Sequence, residues 1–232
     1  MTNKKDFETY LYVEDKKFKI FLLNTGNFKN IYFNEIILND NFDLNFEELS
    51  KFLDDNIFKI EKLLGTFIED IFLIIDNKLE LQTLIGIKKK NNNIFDQIIL
   101  NQALVDLKDL FRENNKDQHI IHMLIENFII DGKNHNVFTE NLKSDYFNLD
   151  VKFITLPHEF IFRLNKLLEK YQIKAKYYIS GKYLKGFINE ECMEISLMAH
   201  KIINGYNVNE IEIVPKTTSN KGFFEKFFQF FS

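Results

Sequence analysis

The sequence predicts a mixed α+β fold, sheets with helices packed on them, on three observations. The first forty residues alternate apolar and polar, as strands do. From Leu49 the apolar period lengthens to that of a helix. Beyond it strand-like and helix-like stretches interleave to the end, in the order βββαββαββαβα. At 232 residues, 45% hydrophobic and 28% charged, the chain is ordinary for a globular protein and long enough for one large domain or two small ones.

Each element has a local reason. FETYLYVE, KFKIFLLN and NIYFNEIIL form a meander that turns at Asp15-Lys16 and at Thr25-Gly26-Asn27. Leu49, Phe52, Leu53, Ile57, Ile60, Leu63 and Leu64 then mark one face of a helix, with Asn45 and Glu48 as its capping pair and Gly65 as its stop. IEDIFLIID and LELQTLIGI are the next strands, expected as a hairpin through Asn77. A second helix is expected over Ile94–Asn114, with Ile98, Leu104, Leu107, Leu110 and Phe111 inward. HIIHMLIENFIID is a long strand closed by Asp131-Gly132, and YFNLDVKFITL is another. Pro157 opens a third helix, where its missing N–H costs nothing, with Phe160, Ile161, Leu164, Leu167, Leu168 and Tyr171 inward. The strand AKYYIS, a helical region stopped by Gly205 and the strand candidate IEIVPK complete the order, and the polar linker TTSNKG follows.

Composition excludes several functions. A net charge of −4 argues against nucleic acid as a partner, and Lys88, Lys89 and Lys90 read as a solvated hairpin tip. The single cysteine, Cys192, allows no intrachain disulfide and no paired-thiolate zinc site. His119 and His122, three apart on a strand, point to opposite faces and cannot share a metal. His135 lies in a polar loop, His158 begins a helix, and a Cys192/His200 nucleophile pair has no third group to orient it. Neither glycine-rich phosphate loops nor hydrolase motifs occur, so no catalytic, cofactor or metal residues are assigned and no enzyme is expected. The acidic pairs Glu14-Asp15, Asp54-Asp55 and Glu190-Glu191 read as solvated turns or helix surfaces. The first residues hold no apolar signal region and no apolar run is long enough to span a bilayer, so a cytosolic place or a cytosolic surface is expected.

One stretch is not explained by composition. KGFFEKFFQFFS carries six phenylalanines between Gly222 and Phe231, although 26 Phe in 232 residues predict about one in ten. On a helix, Phe223, Phe224, Phe227, Phe228, Phe230 and Phe231 fill an arc of about 160°, opposite Lys221, Glu225, Lys226 and Gln229. Such a helix is roughly 15 Å long, half of a hydrocarbon core, and can lie in a membrane interface but not cross it. Burial of each Phe contributes about 1.5–3 kcal/mol, against ordering of about 1 kcal/mol or more per residue, so attachment is weak and gains from self-association. A lipid surface, a groove on a partner protein and the chain's own core all fit this pattern.

Several stretches resemble the FtsA family, actin-like bacterial cell-division proteins that tether the tubulin-like FtsZ ring to the inner membrane. IIHMLIENFIIDGK (120–133) and LDVKFITLPHEFIFRLNKLLEKYQIKAKYYISG (149–181) are similar to the family's 1C, or SHS2-like, subdomain. LNFEELSKFLDDNIFKIEKLLGTFIEDIFLIID resembles the helix and following strand of its subdomain 1A, and the Phe-rich end resembles its linker and membrane-targeting helix. LYVEDKKFKIFLL stands where the family carries its first phosphate loop, with no glycine, and the second loop has no counterpart.

The resemblance implies half of an actin-like (ASKHA) fold lacking subdomains 2A and 2B: residues 1–88 and 189–215 as the 1A-like part and 89–188 as 1C. Residues 216–221 are the linker and 222–232 the amphipathic helix. It implies a peripheral anchor or scaffold of the divisome at the septum, on the cytoplasmic face of the inner membrane, without cofactor or nucleotide hydrolysis. Lys221, Phe223, Phe224, Lys226, Phe227, Phe228, Phe230 and Phe231 would bind lipid. Partners would be division proteins, FtsZ or full-length FtsA relatives, with self-association. The rival reading is a soluble, PilM-like actin-type platform whose tail docks in a protein groove.

Overall fold

The computed structural model describes residues 6–38, 44–91, 94–135, 142–188 and 193–211. The chain begins with strands β1 (Phe7–Glu14), β2 (Lys17–Asn24) and β3 (Lys29–Ile37), helix α1 (Phe46–Leu64), and strands β4 (Asp70–Asp76), β5 (Leu81–Lys90) and β6 (Ile94–Phe95). Helix α2 (Gln97–Asn114) precedes strands β7 (Gln118–Ile130), β8 (Lys133–Asn134), β9 (Leu142–Lys143) and β10 (Tyr146–Pro157). Helix α3 (His158–Glu169), strand β11 (Lys174–Ser180), helices α4 (Gly181–Phe187) and α5 (Ile195–Ile203), and strand β12 (Glu210–Ile211) follow. The fold is mixed α/β, and its described residues fall into two compact units, one drawn from Met1–Glu80 and Pro157–Tyr206, the other from Leu81–Leu156 and the residues after Tyr206.

The first unit is built on a five-stranded sheet in the order β11-β4-β1-β2-β3. β1, β2 and β3 form the antiparallel meander, and β4 and β11 join it parallel to β1. Tyr10–Val13 and Ile71–Ile75 are buried without a break, the pattern of central strands covered on both faces. α1 packs Phe52 against Phe18 of β2, ring centroids 6.0 Å apart. α5 brings His200 to Glu8 of β1, 2.7 Å between Nδ1 and Oε2. Glu8 is in register with Leu23, whose parity along β2 is opposite to that of Phe18, so α1 and α5 cover opposite faces. Asn45 caps α1 by accepting from the Glu47 and Glu48 amides, and Gly65 ends it at φ 70°.

The second unit is a sheet in the order β12-β7-β10-β5 with α2 on one face. Leu100, Ala103, Leu104, Leu107 and Phe111 form the helical stripe that meets Phe147, Leu149, Val151 and Phe153 of β10. Phe111 stacks on Phe153 at 4.6 Å and 13° between planes. Asp131 and Gly132 both take positive φ, 45° and 80°, in the tight turn from β7 to β8.

Several expectations are corrected. β4 and β5 are not a hairpin: β4 pairs with β1 and β11 in one sheet, β5 with β10 in the other. The apolar run of β4 suits a strand covered on both faces, whereas β5 alternates along an edge. α2 starts at Gln97, capped by Asp96, and not at Ile94. Ile98 and Leu110, expected inward, are 55% and 47% exposed. Ile98 lies about 160° around the helix from Leu100, outside the buried stripe. Leu63 on the last turn of α1 is also exposed.

Lys88–Lys90 end strand β5 opposite Asn148, Phe147 and Tyr146 and do not form a hairpin tip. Lys89 pairs with Asp106 of α2, and the Lys88 ammonium stands 4.5 Å from the centre of the Tyr146 ring. The units also divide at Glu80/Leu81 and Leu156/Pro157, where the expectation divided the chain at 88/89 and 188/189. Strand pairing draws the division: all of β5 belongs to the sheet of β10, while α3, β11 and α4 belong with β4.

Candidate functional site

The residues expected to contact lipid, Lys221, Phe223, Phe224, Lys226, Phe227, Phe228, Phe230 and Phe231, lie outside the described residues, as do Cys192 and Glu190-Glu191. The strand that leads toward them is defined. β12 runs antiparallel to the middle of β7, Glu210 opposite Leu124 and Ile211 opposite Met123. The Ile125 amide donates to the Asn209 carbonyl at 2.9 Å. The Glu210 carboxylate meets Nδ1 of buried His122 at 2.5 Å.

A second cluster stands where the parallel strands of the first unit end. In open α/β sheets the carboxyl ends of parallel strands are where ligands dock. Glu14 ends β1 and Asp76 ends β4, side by side in register. The Tyr12 hydroxyl lies between their carboxylates, 3.1 Å from Glu14 Oε2 and 2.9 Å from Asp76 Oδ2. Lys185 of α4 closes the group, donating to Asp76 Oδ2 at 2.6 Å and to Tyr12 Oη at 3.0 Å. Burial first, then the Asp76 and Glu14 carboxylates, push the Tyr12 phenol far above its ordinary range, so it is present as O–H.

α4 is set against the strand ends by close packing. A Cβ on Gly181 would stand 2.6 Å from Asp76 Cβ, so only glycine lets the first turn sit there. Ser180 caps the helix by accepting from the Tyr183 amide and donates to buried Glu80 at 2.6 Å. Lys182 reaches the Asn77 carbonyl at 2.9 Å, and Asn77 Oδ1 accepts from the Leu79 amide. The loop after β4 is thereby held from both sides.

Sequence reasoning missed this cluster, treating Glu14 as part of a solvated turn. The available signal was two apolar runs that each end in a carboxylate, LYVE and IFLIID. What the sequence alone does not give is the parallel register that sets the two acids side by side, nor the ammonium 109 positions after Asp76.

The other polar candidates are dispersed. His122 is committed to Glu210 and His200 to Glu8, which also accepts from Tyr10 Oη at 2.5 Å. Among the described residues, no three His, Cys, Asp or Glu side chains are grouped so as to hold a metal ion. No described helix is long and apolar enough to cross a membrane.

No protein-family profile matches the chain, and no curated protein does. Among solved structures, the chain is similar to the cytoplasmic domain of EpsL, an inner-membrane component of the type II secretion system of Vibrio cholerae. That likeness has 9% identity and TM-score 0.41, over 75% of this chain and 57% of the other. It is also similar to a Bacteroides thetaiotaomicron protein with an actin-like ATPase fold, at 14% identity and TM-score 0.35, over 81% and 58% of the two chains. The chain thus spans under three fifths of each.

Proposed function

We propose that this chain is an actin-like scaffold of FtsA type that does not hydrolyse nucleotide. On this reading it is held on the cytoplasmic face of the inner membrane by its Phe-rich segment and organises division proteins there. The observation that carries the reading is the unit inserted between β4 and α3. Its principal elements run β5-α2-β7-β10, and it holds the stretch 120–133 that resembles the family's 1C, SHS2-like subdomain, whereas most of the second such stretch, 149–181, falls in the first unit. The first unit is then the 1A-like part, and its meander continued by parallel strands supports that assignment.

The absence of hydrolysis is supported by the β1–β2 connection. The family's first phosphate loop would fall there, but the turn is only Asp15-Lys16, between paired Glu14 and Lys17, and holds no glycine. Two residues of this type offer no cradle of backbone amides for a phosphate. The ends of β1 and β4 are meanwhile occupied by Lys185.

The test is co-sedimentation with anionic liposomes, comparing the full chain with a form ending at Ser219. Only the full chain is expected in the pellet, in a fraction that rises with protein concentration because self-association adds avidity. If both forms stay in the supernatant, the membrane reading fails and the phenylalanines belong to a protein groove. Saturable ATP binding would overturn the non-hydrolytic part alone.

A further inference from the structure

Four polar groups at the strand ends must share few protons. The Tyr12 hydroxyl has a single hydrogen for two flanking carboxylate oxygens, at 2.9 and 3.1 Å. Whichever acid receives it, the other faces oxygen lone pairs, and two register-paired carboxylates add like-charge repulsion. An ammonium answers both difficulties. Lys185 donates to Asp76 Oδ2 and to Tyr12 Oη, so the phenol can keep its proton and donate its hydrogen bond to Glu14. The ammonium also stands over the Tyr12 ring, with Nζ 5.4 Å from the ring centre. Lys185 sits on the helix that Gly181 brings against Asp76, so the ammonium is delivered by the fold.

We propose that the Lys185 ammonium, held by Asp76 and the Tyr12 hydroxyl, is a built-in counter-cation at the ends of β1 and β4, and so keeps these strand ends closed to metal ions and to metal-bound phosphates. The inference rests on the non-hydrolytic reading of the chain and supplies its local cause. Replacing that charge by a neutral group leaves two carboxylates and a phenol oxygen facing one point, a hard oxygen set suited to a trivalent lanthanide or to Mn²⁺.

Tb³⁺ luminescence tests this directly. The chain has no tryptophan, and Tyr12 lies against the site as the sensitising ring. Lys185→Gln is expected to bind Tb³⁺ about tenfold or more tightly than the wild type, with tyrosine-sensitised emission. Lys185→Arg should stay as closed as the wild type, and adding Glu14→Gln to Lys185→Gln should abolish the gain. Wild-type binding equal to that of Lys185→Gln would overturn the proposal. So would a folded Lys185→Gln chain that gains nothing, or a gain that survives Glu14→Gln.

A measurement on the unaltered chain stands beside it. Under trace acetylation Lys185, engaged by Asp76 and the Tyr12 hydroxyl, should react more slowly than Lys59 although both side chains are exposed, and equal rates would also overturn the proposal. None of these outcomes depends on lipid, so the liposome result stands or falls separately.

Discussion

Nδ1 of His122 stands 2.5 Å from the carboxylate of Glu210, a contact across 88 positions that fixes β12 on the middle of β7. Over its described residues, Glu210–Ile211, β12 is tied to β7 by backbone pairing, and the side-chain pair adds to that docking. Glu210→Ala should lower stability by about 1–3 kcal/mol, because buried His122 loses this partner. Hydrogen exchange should report the same event locally, with the Ile125 amide, bonded to Asn209, exchanging faster. Unchanged protection at Ile125 in that variant would show that β12 is held by other means.

Two glycines of one short helix should respond in opposite senses to the same substitution. Gly181→Ala drives a methyl to within 2.6 Å of Asp76 Cβ, so helix or strand must shift, at about 1–3 kcal/mol. Gly186 has open space where its Cβ would be, and Gly186→Ala is expected to be neutral or to gain up to about 1 kcal/mol from helix propensity. Urea denaturation midpoints of the two variants check this. Equal midpoints would mean that α4 is not seated on the end of β4.

The elements that were legible in the sequence are those whose signals are local. Asn45 and Gly65 bound α1 as their side-chain and backbone chemistry predicts, and the Asp131-Gly132 turn closes β7. Partner choice among strands was not legible, because an apolar run such as that of β4 pairs equally well with several neighbours until the chain closes. Buried polar residues were missed for a related reason. Asn56 is fully buried in α1, where its carbonyl accepts from Tyr32 Oη at 2.6 Å and from Asn34 Nδ2 at 2.7 Å. Nothing in the helical stripe announces those partners on β3. The strand-end cluster of Tyr12, Glu14, Asp76 and Lys185 has the same character, since three separate elements supply it.

Three tyrosines give the fold a one-sided response to alkali. Burial first, then the nearby Glu8 carboxylate, raises the Tyr10 phenol above its ordinary value of 10.0. Burial raises Tyr12 likewise, with Asp76 and Glu14 adding to it. Burial also raises Tyr178, opposed in part by its hydrogen bond with Asn165. A group whose folded value lies above its unfolded value contributes stability that is whole below the unfolded value and is lost as pH rises through the window above it. Stability should therefore hold up to about pH 10 and fall progressively beyond it. In a spectrophotometric titration at the tyrosinate band, these three phenols should ionise only as the circular-dichroism signal of the fold is lost. Their ionisation while that signal is intact would mean that the native phenols are hydrated, and the Tyr12 bridge between Glu14 and Asp76 would have to be redrawn.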